Sequence, residues 1–334
     1  MSDKNEQAKN RQNWSNYWAG RAADRSGEAL TGSGDGVGIE HNEMLGAFWA
    51  ACFAGLDKNS KILDMACGAG SVLRHAHANG FTDLSGVDIS ADAITAMGRE
   101  FPNAKGIVAP VDATGLADKS YDIVVSQFGF EYAGSNRQVL AAAREMTRLV
   151  TGGGQFIALC HIKGGGIEQE VNGHLRDIKE MTKPGFIAAS KALFIALEAA
   201  EKSPTLATKA AYEKATHNLG APRDKLTAWL AAGQSGGSEI HKLGQHLYTG
   251  TIELFNRRKA YSLADITNWL DGMQSEIDAY RGRMQSMRQS ALSEKDARNI
   301  LSAFNDAVFQ TENPEQFYLA GDDKPAAWIL KAGR

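Results

Sequence analysis

The chain has 334 residues, 43% hydrophobic and 22% charged, with a formal net charge of −3. This length exceeds a typical single domain, so one large decorated domain or two domains are expected, with the composition of an ordinary soluble globular protein. Without a basic excess or a run of Lys or Arg to track a phosphate backbone, no nucleic-acid partner is expected. The three cysteines, Cys52, Cys67 and Cys160, have neither disulfide-scaffold nor zinc spacing, and no metal site is expected. Met1 to Gln12 is polar and lacks the apolar stretch of a signal peptide, and Gly46 to Leu56 falls short of the about 20 apolar residues a membrane span needs. The cytoplasm is therefore the expected location, with no membrane association.

In chain order, residues 1–60 read as an N-terminal helical arm or lid. It carries Trp14, Tyr17, Trp18 and Arg21 at helical spacing, then the Gly-rich loop GEALTGSGDGVG and an apolar helix from about Glu43 to Leu56. From Lys61 to about Ile162 strand-like and helical patterns alternate. KILDMA, LSGVDI, GIVAPV, YDIVVSQF and QFIALCHI are the strands; SVLRHAHAN, ADAITAMGREF and RQVLAAAREMTRLV are the helices. Such alternation implies a parallel sheet covered by helices on both faces.

Residues 163–314 show no convincing strand and read as a helical insertion, a substrate cap or an oligomerisation element. Two of its helices open with capping-box spellings, Ser262 to Asp265 and Ser293 to Asp296. Leu263, Ile266, Trp269, Leu270, Met273, Ile277, Tyr280, Met284 and Met287 fall on one helical face, which serves core packing or a subunit interface such as that of a homodimer. The last segment, FYLAGDDKPAAWILKA, reads as strand, turn over Asp322 to Pro325, and strand. The chain thus returns, over residues 315–334, to finish the sheet begun at 61–162.

The chemistry concentrates in Leu63-Asp64-Met65-Ala66-Cys67-Gly68-Ala69-Gly70 and, one helix later, Gly86-Val87-Asp88-Ile89-Ser90. An acid closes each of two successive strands, with a glycine turn between them, at the sheet edge where ligands bind in open parallel sheets. A dinucleotide loop wants G-x-G-x-x-G facing a pyrophosphate. Here the third glycine is replaced by Leu73, and Asp64 would set a negative charge beside that pyrophosphate. A cationic, phosphate-free nucleoside meets no such repulsion.

In these residues the chain resembles the class I S-adenosylmethionine-dependent methyltransferase family, whose first motif reads hydrophobic-x-Asp-x-x-x-Gly-x-Gly. The resemblance covers residues 61–162 and the closing hairpin. It implies an α/β, Rossmann-like seven-stranded sheet of order 3-2-1-4-5-7-6, with the all-α insertion between strands 5 and 6. S-adenosylmethionine would be the cofactor and S-adenosylhomocysteine the product. By the same resemblance Asp64, Ala66, Gly68 and Gly70 line the cofactor, Asp64 orienting its methionine part. Asp88, beside Ile89, receives the ribose hydroxyls, Asp112-Ala113 meet the adenine, and Gln127 lines the pocket. An N-terminal aromatic helix serves as a lid in many relatives, which makes Trp18 and Arg21 cofactor candidates and Tyr17 an acceptor candidate. Burial of those aromatics without any ligand contact is the rival reading.

Methyl transfer is an in-line displacement in which the protein aligns the partners and, for some acceptors, removes a proton. Glu131 and His161 are the candidate catalytic groups, each with a structural alternative, and Phe128 and Tyr132 are acceptor-lining candidates. The segment after the fourth strand has neither the Pro-Pro-aromatic of exocyclic base methylators nor the Pro-Cys of C5-cytosine enzymes. It also lacks the paired acids of arginine methylators. A small-molecule acceptor under the helical insertion is therefore expected. A macromolecule-directed methyltransferase and a non-methylating S-adenosylmethionine-binding protein are the alternatives.

Overall fold

A computed structural model of the chain describes residues 39–233, 238–305, 307, 309–319 and 321–333. Tyr17, Trp18, Arg21 and the Gly-rich loop lie outside the described residues. Helix α1 (Ile39–Phe53) precedes β1 (Ile62–Met65), α2 (Ser71–Ala78), β2 (Leu84–Asp88), α3 (Ala91–Glu100), β3 (Lys105–Val108) and β4 (Tyr121–Gln127). A 3₁₀ turn (Phe130–Ala133), α4 (Asn136–Leu149) and β5 (Val150–His161) follow. Six helices come next: α5 (Gly166–Thr182), α6 (Phe186–Lys202), α7 (Leu206–Ala232), α8 (Glu239–Asn256), α9 (Leu263–Ser290) and α10 (Glu294–Asn305). The chain ends in β6 (Gln310–Thr311), β7 (Glu315–Phe317) and β8 (Ala327–Gly333).

The strands form one sheet of order β3-β2-β1-β4-β5-β8-β6, with β7 also on β8. All pairings from β3 to β5 are parallel, and β8 runs antiparallel to β5 from Gln155↔Gly333 to His161↔Ala327. The sheet has eight strands rather than the seven expected, because the strand on the outer edge of β8 is broken in two. β6 pairs at Gln310↔Gly333 and Thr311↔Ala332, and β7 resumes at Glu315↔Ile329. Pro314 sits in the gap, where it has no N–H to give the ladder. With β6 and β7 taken as one strand, the order is that of the expected Rossmann-like sheet.

β1 and β2 are buried along their whole length, as strands covered on both faces must be, whereas β3 is exposed at the edge. One core face is built from α4 (Val139, Ala142, Ala143, Met146, Leu149) and α10 (Ala297, Ile300, Leu301, Phe304). Phe156 of β5 stacks on Phe304 with ring centroids 4.4 Å apart. Burying such a ring contributes about 1.5–3 kcal/mol. Both predicted capping boxes form: Ser262 Oγ accepts the Asp265 N–H at 3.1 Å, and Ser293 Oγ that of Asp296 at 3.3 Å.

The chain divides into two compact units, one running to Asn172 and resuming at Gly282, the other Gly173–Arg281. α10, which falls within the residues 163–314 read from the sequence as a helical insertion, supplies core residues to the sheet unit. Within the helical unit, Tyr280 and His174 share a hydrogen bond of 2.8 Å, and Trp229 stacks on His241 at 4.0 Å. Arg257 pairs with Glu253 and Arg258 with Glu201, so these cations are engaged inside the unit. No helix among the described residues is long and apolar enough to cross a membrane.

Candidate functional site

Three of the five residues after β1 leave the ordinary backbone regions: Ala66, Gly68 and Gly70 have φ of 58°, 52° and 89°. The turn is pinned by the Cys67 N–H to the Val87 carbonyl at 3.0 Å and by the Gly70 N–H to the Cys67 carbonyl at 2.8 Å. A side chain on Gly70 would be strained by its φ and would also press on Met97 and Phe101 at 3.1 Å. Gly70 caps α2 without a side-chain hydrogen bond, which leaves first-turn N–H groups of that helix for a ligand.

Asp64, in β1, is 1% exposed, and neither of its carboxylate oxygens has a hydrogen-bond partner among the described residues. Burial pushes its pKa well above the ordinary carboxylate range, and the charge of Asp88 adds to that. Asp88, closing β2, is also buried but is satisfied: Oδ2 accepts the Gly68 N–H at 2.9 Å and Oδ1 the Ser90 N–H at 2.8 Å. Burial raises its pKa, while the N–H groups of Ser90, Gly68 and Ile89 pull it back. Each oxygen keeps a second lone pair for a ligand hydroxyl. Gly86 stands beside Asp64 in the β1–β2 register, and a Cβ there would lie 2.5 Å from Met97 Sδ and 2.7 Å from Cys67 Sγ.

Cys67 is packed filler, its thiol pushed well up by burial and by the two acids. Ile89 is half-buried just past β2. After β3, Asp112 is half-buried and Ala113 exposed. The segment that carries them is held by Glu145 of α4, which accepts the Thr114 N–H at 2.9 Å. The guanidinium of Arg148 holds the Glu145 carboxyl down at about 2 against the opposing effect of burial.

At the end of β4, Ser126 Oγ donates to the Met65 carbonyl at 2.6 Å, joining this strand to the turn after β1. Gly129 lets the two loops close up, since a Cβ there would sit 2.6 Å from that of Ala66. Gln127 is fixed by Trp49 of α1, whose indole N–H donates to Oε1 at 2.5 Å. Phe128 adopts a φ of 51°, unusual for an aromatic residue, and its ring lies 4.6 Å from the imidazole of His161.

Glu131 and His161 come together as a buried pair, 0% and 3% exposed, with Oε1 and Nδ1 2.8 Å apart. Glu131 is therefore no solvated loop acid. Oε2 of Glu131 and Nε2 of His161 have no hydrogen-bond partner among the described residues. Tyr132 places its hydroxyl 3.5 Å from the same Nδ1. Sequence reasoning missed Trp49, Ser126, Gly129 and Glu145. Each acts on a residue distant in the chain, and none carries a local spelling that announces it.

S-adenosylmethionine suits this cradle. Its positive groups answer the unsatisfied Asp64, its ribose diol matches the two oxygens of Asp88, and its lack of phosphate suits a site with two buried acids.

Residues 63–158 match a family model described as a methyltransferase domain. Among solved structures, a methyltransferase in complex with the Trm112 methyltransferase activator of Haloferax volcanii is 20% identical. That match has a TM-score of 0.35 and covers 44% of this chain and 61% of that one. YcgJ of Bacillus subtilis is 20% identical, with a TM-score of 0.34, over 42% of this chain and 60% of its own. The sugar N-methyltransferase KedS8 of Streptoalloteichus is 23% identical, with a TM-score of 0.32, over 37% and 49%. The chain thus spans about three fifths of the length of the first two. No curated protein matches this chain significantly. The chain thus carries a methyltransferase domain over residues 63–158, set in a sheet of Rossmann-like order, and S-adenosylmethionine is its cofactor.

Proposed function

We propose that this protein transfers the methyl group of S-adenosylmethionine to a small-molecule acceptor. Asp64, Ala66, Gly68, Gly70, Asp88, Ile89, Asp112, Ala113 and Gln127 surround the cofactor; His161 and Glu131 stand at the acceptor, with Phe128 and Tyr132 beside them. The observation that carries this reading is Asp64: a buried carboxylate whose two oxygens have no partner among the described residues, next to a second buried acid and a glycine turn. Such a pair repels phosphate and is relieved by a ligand that brings positive charge and N–H donors.

When bound, the cofactor supplies a methyl group already activated by positive sulfur. The chain's own part is to hold and align. Asp64 orients the amino-acid end, Asp88 receives the ribose, and the strained turn lets the backbone come close. A small acceptor is favoured because the Glu131–His161 pair is closed off from bulk solvent and because no run of cations is present to track a polyanion.

Calorimetry of the full chain with S-adenosylmethionine and S-adenosylhomocysteine tests the cofactor site, with NAD as the control. Saturable binding of the first two and none of NAD is expected. Deuteromethyl-labelled cofactor, incubated separately with a small-metabolite fraction, RNA and a peptide pool, tests the acceptor. Label is expected in the metabolite fraction, and label confined to RNA or peptide overturns the small-molecule reading.

A further inference from the structure

His161 closes β5, and every side-chain hydrogen bond it makes among the described residues falls on one of its two ring nitrogens. Nδ1 faces Oε1 of Glu131 at 2.8 Å, and that oxygen also takes the backbone N–H of His161 at 3.1 Å. An oxygen that receives the backbone N–H is acting as an acceptor, so Nδ1 is assigned as the protonated nitrogen. Nε2 is then the lone-pair nitrogen, buried and without a partner among the described residues. A buried acceptor left empty is costly to the fold, and a donor arriving from a ligand removes that cost. The ring is held in place by Phe128 at 4.6 Å and by the edge-on ring of Tyr132 at 5.6 Å. Phe128 holds its place with a left-handed backbone, a conformation that persists where the surroundings enforce it and that clusters at functional sites.

The geometry points to a hydroxyl as the acceptor, phenolic or alcoholic, whose proton passes to Nε2 of His161 as its oxygen takes the methyl group; this inference rests on the proposed function above. A neutral amine already presents a lone pair and sheds its proton to water after transfer, and a thiol ionises readily by itself. A hydroxyl oxygen is a weak nucleophile until a base relieves it of its proton. The O–C bond forms as the C–S bond of the bound cofactor breaks, the C–S electron pair leaving on sulfur as a neutral thioether. The hydroxyl proton goes to Nε2, the imidazolium is offset by the Glu131 carboxylate, and water takes the proton on product release. Glu131 is a positioning residue: it fixes the tautomer that turns Nε2 toward the acceptor. Among the described residues, the titratable groups in contact with the imidazole are Glu131 and Tyr132 of the turn after β4. β8 sets only Ala327 opposite His161.

Two measurements on the full chain test this. Long-range proton–nitrogen spectra of histidine-labelled protein report the tautomer directly. Nδ1–H is expected for His161 in the wild type, and the isosteric Glu131→Gln should move the balance toward Nε2–H by about tenfold or more. A wild-type proton on Nε2 overturns the assignment.

Deuteromethyl S-adenosylmethionine is then offered with a panel of phenol, catechol and sugar hydroxyls and matched amines and thiols. O-methyl products are expected. His161→Gln should lower kcat toward hydroxyl acceptors by about 100-fold or more, while cofactor Kd stays within about twofold. Exclusive N- or S-methylation, or no methylated hydroxyl from an enzyme that binds the cofactor, overturns the inference alone. Failure to bind S-adenosylmethionine overturns the proposed function as well.

Discussion

Asp64→Asn separates what Asp64 costs the folded chain from what it gives the ligand. The carboxylate is 1% exposed with both oxygens unpartnered among the described residues, so folding removes its water and returns nothing. An unsatisfied buried polar group costs about 1–3 kcal/mol, and more when charged. Because its folded pKa lies above the ordinary 3.8, the folded state holds a proton that the unfolded state has released. Stability therefore falls as pH rises above 3.8, by about 1.4 kcal/mol per pH unit, until the folded pKa is passed. Below that window both states are protonated and there is no loss.

Asn has the same shape without the charge. The ligand-free variant should be more stable than wild type by about 1–3 kcal/mol near neutral pH, a rise of roughly 2–10 °C in Tm. Its stability should also decline less steeply above pH 3.8 than that of wild type, the part contributed by Asp64 being gone and that of Asp88 remaining. Cofactor affinity should move the other way. Loss of hydrogen bonds to a charged group costs about 1.5–3 kcal/mol, or roughly 10–150-fold in Kd. Thermal unfolding across pH without ligand, paired with calorimetry against S-adenosylmethionine, reads both effects. A variant less stable than wild type at neutral pH, or one that binds the cofactor as tightly, refutes the reasoning.

Gly86→Ala should lower stability by about 1–3 kcal/mol and loosen the turn after β1, because its Cβ meets Met97 Sδ at 2.5 Å and Cys67 Sγ at 2.7 Å; denaturant melts check this. Asp88→Ala should weaken cofactor binding by about 1.5–3 kcal/mol and free the N–H groups of Gly68 and Ser90, so unchanged affinity by calorimetry would falsify the ribose assignment. Glu145 contributes stability that is full above pH 4.5 and lost as pH falls toward about 2. Acid unfolding of wild type and Glu145→Gln should therefore differ at neutral pH and converge at about pH 2. Trp49→Phe removes the 2.5 Å bond to Gln127 and leaves a smaller ring in a fully buried place; a several-fold loss of cofactor affinity is expected together with a lowered Tm.

Much of the sheet was legible because parallel strands buried on both faces are short apolar runs, and ILDM and LSGVD are such runs. The glycine turn was legible because glycine takes such backbone angles without strain, as Gly68 and Gly70 do. The partnership of Glu131 with His161 was not. The two are 30 residues apart and meet only because β4 and β5 are neighbours in the sheet. Nor could the break between β6 and β7 be read. Pro314 was visible in the sequence, but its effect depends on the ladder to β8, which exists only once the chain has folded back. The packing of the last helix was hidden for a similar reason. α10 has the same amphipathic spelling as its helical neighbours, and only its packing on Phe156 assigns it to the sheet unit.

The long seam between β5 and β8 bears on how this protein is made. β5 is synthesised well before its outer neighbour, and the whole of the helical unit emerges between the two. Until β8 arrives, β5 presents a row of unpaired backbone groups flanked by apolar side chains, the kind of edge on which nascent chains associate. Closing the seam also joins segments far apart in sequence, a slow event for a growing chain. Synthesis of β8, rather than completion of the nucleoside cradle, should therefore set the moment at which the carboxyl end of β5 becomes a finished wall.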